Sequence, residues 1–192
     1  MRDLSLHILD IVQNSIKAKA SKISIVLKHE RISLLDKNIL KLIITDNGIG
    51  MEYELLNKAE DPFTTTRTFR RVGLGIPLLK ESALKCDGEF KLSSQKDAGT
   101  EVLAAFSIDH IDRLPIGDVG ETMITLISSN PEIRFMLFLE GERGSFGLDT
   151  GEVAESLKGV IITEYAVIKW LKEYIDDGVK NIFGGVLNEV NC

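Results

Sequence analysis

Leu4, Ile8, Ile11, Val12 and Ile16 recur three and four residues apart, and a polar stripe of Asp3, His7, Asp10, Asn14 and Lys17 runs beside them. This double periodicity predicts an amphipathic helix over residues 3–20. Ile23, Ile25 and Leu27 then alternate with polar neighbours, predicting a strand over 22–28. A polar loop is expected around His29 to Asn38. Residues 39–45 are nearly all apolar, which predicts a second strand buried on both faces. A short helix over 52–59 and a loop over 60–72 follow, the loop marked by Asp61-Pro62 and three successive threonines. Residues 74–86 are expected to be helical, with Pro77 tolerated in the first turn alone. Residues 89–96 and 100–108 form a hairpin about Asp97-Ala98-Gly99. The order helix, strand, strand, helix, helix, strand, strand predicts an α/β fold. Its form is a two-layer sandwich, with helices on one face of a mixed, mainly antiparallel sheet.

Residues 109–118 are expected to act as a connector, dividing the chain into a domain at 1–108 and a small α/β extension at 109–192. The extension begins with a helix over about 121–128, capped by Asp118, and an apolar strand over 133–139. A stretch with four glycines at 141–151 follows, then a last helix over roughly 164–177 that carries Tyr165, Trp170 and Tyr174. These aromatics suit a partner surface, and equally a plain packed extension. Glu140, Glu142 and Asp149 are acidic enough for a metal but sit in hairpin chemistry. No internal repeat is visible.

Composition narrows the function. The chain has 192 residues and a formal net charge of −6. An acidic chain is a poor match for nucleic acid, which requires a basic footprint. The one basic island is Arg67, Arg70, Arg71 and Lys80, suited to a phosphorylated ligand or to a solvated loop. No run of 18 apolar residues exists, so no membrane span is expected. The N-terminus lacks an apolar signal core. Cys86 and Cys192 are the two cysteines, far apart, which fits a reducing cytoplasm and neither a disulfide framework nor a metal site.

The candidate chemistry lies in four short stretches. Asp46, Asn47, Gly48, Gly50 and Met51 follow the second strand. A carboxylate at a strand end accepts well from an amino group, and the glycines let a flat ring approach the backbone. A plain turn accounts for the same residues. Asp10 and Asn14 are four apart on one helix face, which suits either a solvated stripe or Mg²⁺ chemistry. Gly73, Leu74 and Gly75 open a helix, a natural anion site, although the pattern is neither a dinucleotide fingerprint nor a P-loop. Gly99-Thr100 marks a tight turn.

Taken in order, these stretches resemble the GHKL ATPase superfamily of gyrase B, Hsp90, histidine kinases and MutL, over residues 3 to about 108. "DIVQNSIKAKASKISI" resembles the N box, "DNGIGM" the G1 box, "DPFTTTRTFRRVGLGI" the F and G2 boxes of the ATP lid, and "DAGTEV" the G3 box. The resemblance implies a Bergerat-type fold that binds ATP and Mg²⁺. Asn14 would take the metal-ligand place and Asp10 that of the general base. Asp46 would meet the adenine amino group, with Gly48, Gly50, Met51 and Thr100 around the base. Thr65, Thr66, Arg67, Gly73, Leu74 and Gly75 would hold phosphates.

Two departures shape the expected function. Asp10 stands where gyrase-like and MutL-like members carry glutamate, one methylene longer, so slow hydrolysis is expected. The chain also begins at the N-box helix, so no phospho-acceptor helix pair is expected ahead of it. His7 is expected at the pocket rim or hydrogen-bonded to Asp10, and His29 and His110 in loops. The whole is similar to stand-alone bacterial histidine-kinase-like proteins and to anti-sigma serine kinases. That implies an ATPase or protein kinase in bacterial regulation with a substrate or regulatory protein as partner, and leaves a homodimer open. The alternative is a non-catalytic, nucleotide-dependent switch.

Overall fold

The computed structural model describes residues 2–32, 37–59 and 74–184. Helix α1 (Leu4–Lys17) starts at Asp3, whose carboxylate accepts from Leu6 N, and buries Leu4, Ile8, Ile11 and Val12. Strands β1 (Lys22–Ile32) and β2 (Lys37–Asp46) are antiparallel and pair over their full length. Helices α2 (Tyr53–Ala59) and α3 (Gly75–Lys85) precede the hairpin β3 (Glu89–Gln95) and β4 (Gly99–Ser107). Beyond these lie α4 (Val119–Ser129), β5 (Arg134–Gly141), β6 (Gly144–Asp149), α5 (Thr150–Ser156) and α6 (Tyr165–Phe183).

The six strands form one mixed sheet in the order β3-β4-β2-β1-β5-β6. The β1–β5 pair is parallel and the others are antiparallel. Helices pack on one face over a single apolar core that runs from Leu4 in α1 to Phe183 in α6. This is the expected α/β sandwich. The segment after residue 109 continues the same sheet, because β5 pairs with β1 from Lys22↔Arg134 to Lys28↔Glu140. Two backbone bonds, Leu4 N to Pro115 O and Ser5 N to Ile116 O, both 2.9 Å, strap the connector to the start of α1.

Several expectations need correcting. The strands enter the expected loop at 29–38 from both sides: β1 extends to Ile32 and β2 begins at Lys37. Polar residues are tolerated there because they line the open face of the sheet, where Glu30 pairs with both Lys28 and Lys41. His29 is therefore a buried strand residue on the helix-covered face. Strand β2 is buried on one face, not two. Leu40, Leu42 and Ile44 are in the core, while Ile39, Lys41 and Ile43 are half-buried on the other side. Helix α6 extends to Phe183, strand β6 occupies most of the glycine-rich stretch, and a short helix, α5, lies between that stretch and the last helix, where no element was expected. Glu140 and Asp149 are ion-paired with Lys28 and Arg134, so the acidic hairpin is structural. Among the described residues, no group of three or more His, Cys, Asp or Glu is disposed to hold a metal. None of their helices is long and apolar enough to cross a membrane.

Candidate functional site

The end of β2 is a rigid platform. Asn47 Oδ1 accepts from Ser21 N and Lys22 N, each at 2.9 Å, tying the turn to the start of β1. Ile49 N donates to Ala18 O at 2.9 Å, binding the same turn to the end of α1. Gly50 sits at φ +62°, and a β-carbon there would lie 1.9 Å from Gln95 O. Gly99 sits at φ +90°, with Asp46 O equally close to such a carbon. Both positions require glycine, on conformation and on space alike.

Asp46, only 8% exposed, accepts two hydrogen bonds. Ser15 Oγ donates to its Oδ2 at 2.6 Å, and Gly48 N donates to its Oδ1 at 2.8 Å. Its cross-strand partner on β4 is Thr100. Ser94 on β3 knits the neighbouring segments together. Its Oγ accepts from Met51 N, donates to Gly99 O and lies beside Thr100 Oγ1, all at 2.9 Å.

Above this platform opens a cavity of about 550 Å³ between α1, the 49–51 turn, α3 and β4. Asn14, Asp46, Gly50, Met51 and Thr100 all line it, so residues from three of the four candidate stretches meet at one place. Ser15, Lys17 and Lys19 join them. Apolar walls come from Ile11, Ile44, Ile76 and Val102. Asn14 Nδ2 is buried without a hydrogen-bond partner among the described residues. An unpaired buried amide is costly unless a ligand satisfies it.

Asp10 lies one turn before Asn14 and is half-buried. Its Oδ2 is 2.5 Å from where a β-carbon on Gly75 would sit, so the carboxylate abuts the start of α3. Leu74 is exposed at that helix start. Thr65, Thr66, Arg67 and Gly73, with Arg70 and Arg71, lie outside the described residues.

His7 corrects its expectation. It is completely buried, and its Nε2 faces Ser82 Oγ on α3 at 3.4 Å instead of Asp10. Burial, aided by the positive N-terminus, lowers its pKa to about 4, against the opposing pull of Asp10 and Asp3. His110 is in the connector turn, as expected, with Nδ1 accepting from Asp112 N. The sequence reading missed Ser15 and Ser94. Ser15 directly follows Asn14, so its place beside the strand end could be found only by pairing α1 with Asp46.

The fold is thus a helix-covered mixed sheet with a cavity between its first helix and its strand ends. Residues 2–110 match the model of the histidine kinase-, DNA gyrase B- and HSP90-like ATPase family, and the chain belongs to that family. It is 26% identical over 179 residues to the autoinducer 2 sensor kinase/phosphatase LuxQ of Vibrio parahaemolyticus, covering 90% of this chain and 20% of that protein. It is 31% identical over 80 residues to an uncharacterised sensor-like histidine kinase of Rhizobium meliloti, covering 39% of this chain and 15% of that one. The chain thus spans a fifth or less of these relatives. Among solved structures it resembles the Aquifex aeolicus MutL ATPase domain complexed with ADP. The TM-score is 0.50 at 18% identity, over 82% of this chain and 68% of that one. The N-terminal domain of a DNA repair protein also gives 0.50, at 15% identity, over 96% and 58%. These likenesses show a shared fold.

Proposed function

We propose that this chain binds Mg·ATP in the cavity above β2 and either hydrolyses it or passes the γ-phosphoryl group to a partner protein in bacterial regulation. One observation carries the reading. A buried carboxylate, Asp46, and Asn14, whose buried Nδ2 has no hydrogen-bond partner among the described residues, line the same cavity. Asp46 suits the adenine amino group, because a carboxylate is an acceptor and its buried setting penalises a base with nothing to donate.

The residues present suit Mg²⁺. Asn14 offers one neutral oxygen, and phosphates and waters would complete an octahedral shell, which needs no acidic cage. When bound, Mg²⁺ neutralises phosphate charge and orients the transferring group. Asp10, one turn away, is the candidate base for the attacking water or hydroxyl. Lys17, on the cavity wall, adds a cation for the phosphates. Thr65, Thr66, Arg67 and Gly73 are assigned to the phosphates by their place in the lid motif, followed by Leu74 and Gly75 at the start of α3. The assignment extends to a cytoplasmic protein whose partner is a regulatory or substrate protein or a second copy. Residues 109–192 carry the partner surface and 1–108 the nucleotide. ADP release by wild type and Asp10→Ala tests catalysis: a rate abolished by the substitution supports it, and equal background rates in both contradict it.

A second reading is favoured by the contact between Asp10 and Gly75. A carboxylate packed against the start of α3 occupies the neighbourhood expected for a phosphate. If ATP binding moves α3 without turnover, the chain is a nucleotide-dependent switch. Partner affinity that differs between ATP, ADP and no nucleotide, with no ADP released, would favour this version.

A further inference from the structure

We propose that Ser15 is a specificity-determining residue that makes the Asp46 end of the cavity an acceptor-only surface, so that it admits a 6-amino purine and rejects a 6-oxo purine. The proposal deepens the ATP reading and rests on it. Its basis is a count of protons. A serine hydroxyl carries a single proton. Ser15 Oγ lies 2.6 Å from Asp46 Oδ2 and 3.5 Å from Ile11 O, and the short contact to a carboxylate takes that proton. The other nearby donor, Gly48 N, is spent on Asp46 Oδ1 at 2.8 Å. Both donors beside the carboxylate are thus committed to it. What faces the ligand from Ser15 and Asp46 is lone pairs.

A 6-amino group brings the donor this surface lacks. A 6-carbonyl brings lone pairs against lone pairs, and each side loses its hydrogen bond in a buried place. A water at the position of the Ser15 hydroxyl would behave differently. It has two protons and can give one to Asp46 and the other to a carbonyl. Ser15→Ala opens that position to water from the adjoining cavity, whose lining includes Asp46, Asn14 and Thr100 as partners for a water. The hydroxyl therefore does more than hold Asp46 in place. It prevents a solvent molecule from bridging the carboxylate to the wrong base.

The test is the ratio of dissociation constants for ATP and inosine triphosphate, by calorimetry, in wild type, Ser15→Ala and Ser15→Thr. Inosine triphosphate has a carbonyl at position 6 and a proton on N1. A ratio within each variant cancels any general weakening of the pocket, so a purely structural role for Ser15 would leave it unchanged. Wild type is expected to prefer ATP by about 100-fold, Ser15→Ala by about tenfold less, and Ser15→Thr to regain the preference. An unaltered ratio in Ser15→Ala overturns the proposal, as does a Ser15→Thr ratio as low as that of alanine. A wild type that binds both nucleotides equally overturns it while leaving nucleotide binding intact. A wild type that binds neither overturns the ATP reading and this inference together.

Discussion

The carboxylate of Asp10 occupies the space a side chain at Gly75 would need: a β-carbon at residue 75 would stand 2.5 Å from Asp10 Oδ2. The absence of a side chain at residue 75 is what lets α1 and the first turn of α3 approach at this point. Gly75→Ala should displace the carboxylate while favouring the helix in which it sits. ATP affinity should fall much less than turnover, and ADP release should drop by about 100-fold, the cost of a ~1 Å misplacement of a catalytic group. Steady-state turnover beside a binding isotherm checks this. Unchanged turnover would remove Asp10 from the chemistry.

Gly50 is held by its conformation. At φ +62° and 1.9 Å from Gln95 O, an added β-carbon forces the 49–51 turn away from β3. Gly50→Ala should lower stability by about 2 kcal/mol or more, the left-handed backbone alone costing roughly 1–2 kcal/mol. Chemical denaturation reads the loss. ATP affinity should fall with it, because Gly50 lines the cavity.

His7 gives a pH signature. Its folded-state pKa of about 4 lies below the ordinary histidine value of 6.5, because burial opposes the imidazolium. The unfolded chain therefore takes up a proton that the folded chain refuses as pH falls from 6.5 towards 4. No penalty exists above this window, and it grows as the medium acidifies through it. From pH 7 to pH 5 the penalty reaches about 2 kcal/mol. His7→Gln should lose this part of the acid sensitivity, so that its stability relative to wild type improves by about that amount at pH 5. Parallel pH dependence of the two proteins would contradict the assignment.

Much of this was legible in the chain. Helix α1, the alternation of β1, the β3–β4 hairpin and the Asp118 cap of α4 follow from short-range patterns that burial reinforces. The lengths of β1 and β2 were not legible, because Glu30 reads as loop until its pairing with Lys28 and Lys41 on an open sheet face is known. Motif order singles out Asp46, Asn14, Gly50 and Thr100, which the structure brings to one cavity. Ser15 and Ser94 escape it, since each acts through a residue distant in sequence: Asp46 lies 31 positions from Ser15, and Met51 lies 43 from Ser94. Helix α5 is only seven residues long, too short for a periodic pattern, and its start depends on Asp149, which accepts from Gly151 N at 2.9 Å while held by Arg134.

That last pair provides a control remote from the cavity. Arg134 Nε lies 2.8 Å from Asp149 Oδ1, and its second nitrogen is 2.6 Å from Oδ2. The guanidinium, with the Gly151 amide, keeps the Asp149 carboxyl below its ordinary pKa despite the opposing effect of burial. Asp149→Ala removes a cap and a bidentate pair, and should cost about 1–2 kcal/mol of stability. Nucleotide affinity should be unchanged, since neither residue lines the cavity. A large loss of ATP affinity would mean that β6 and α5 are coupled to the site.

The most direct measurement is titration of the folded chain with ATP in Mg²⁺, beside Asp46→Ala. Saturable heat from wild type and none from the variant, with both melting cooperatively, is the predicted result. Equal affinity in the two proteins, or no heat from a well-folded wild type, would contradict the assignment of this cavity to an adenine nucleotide.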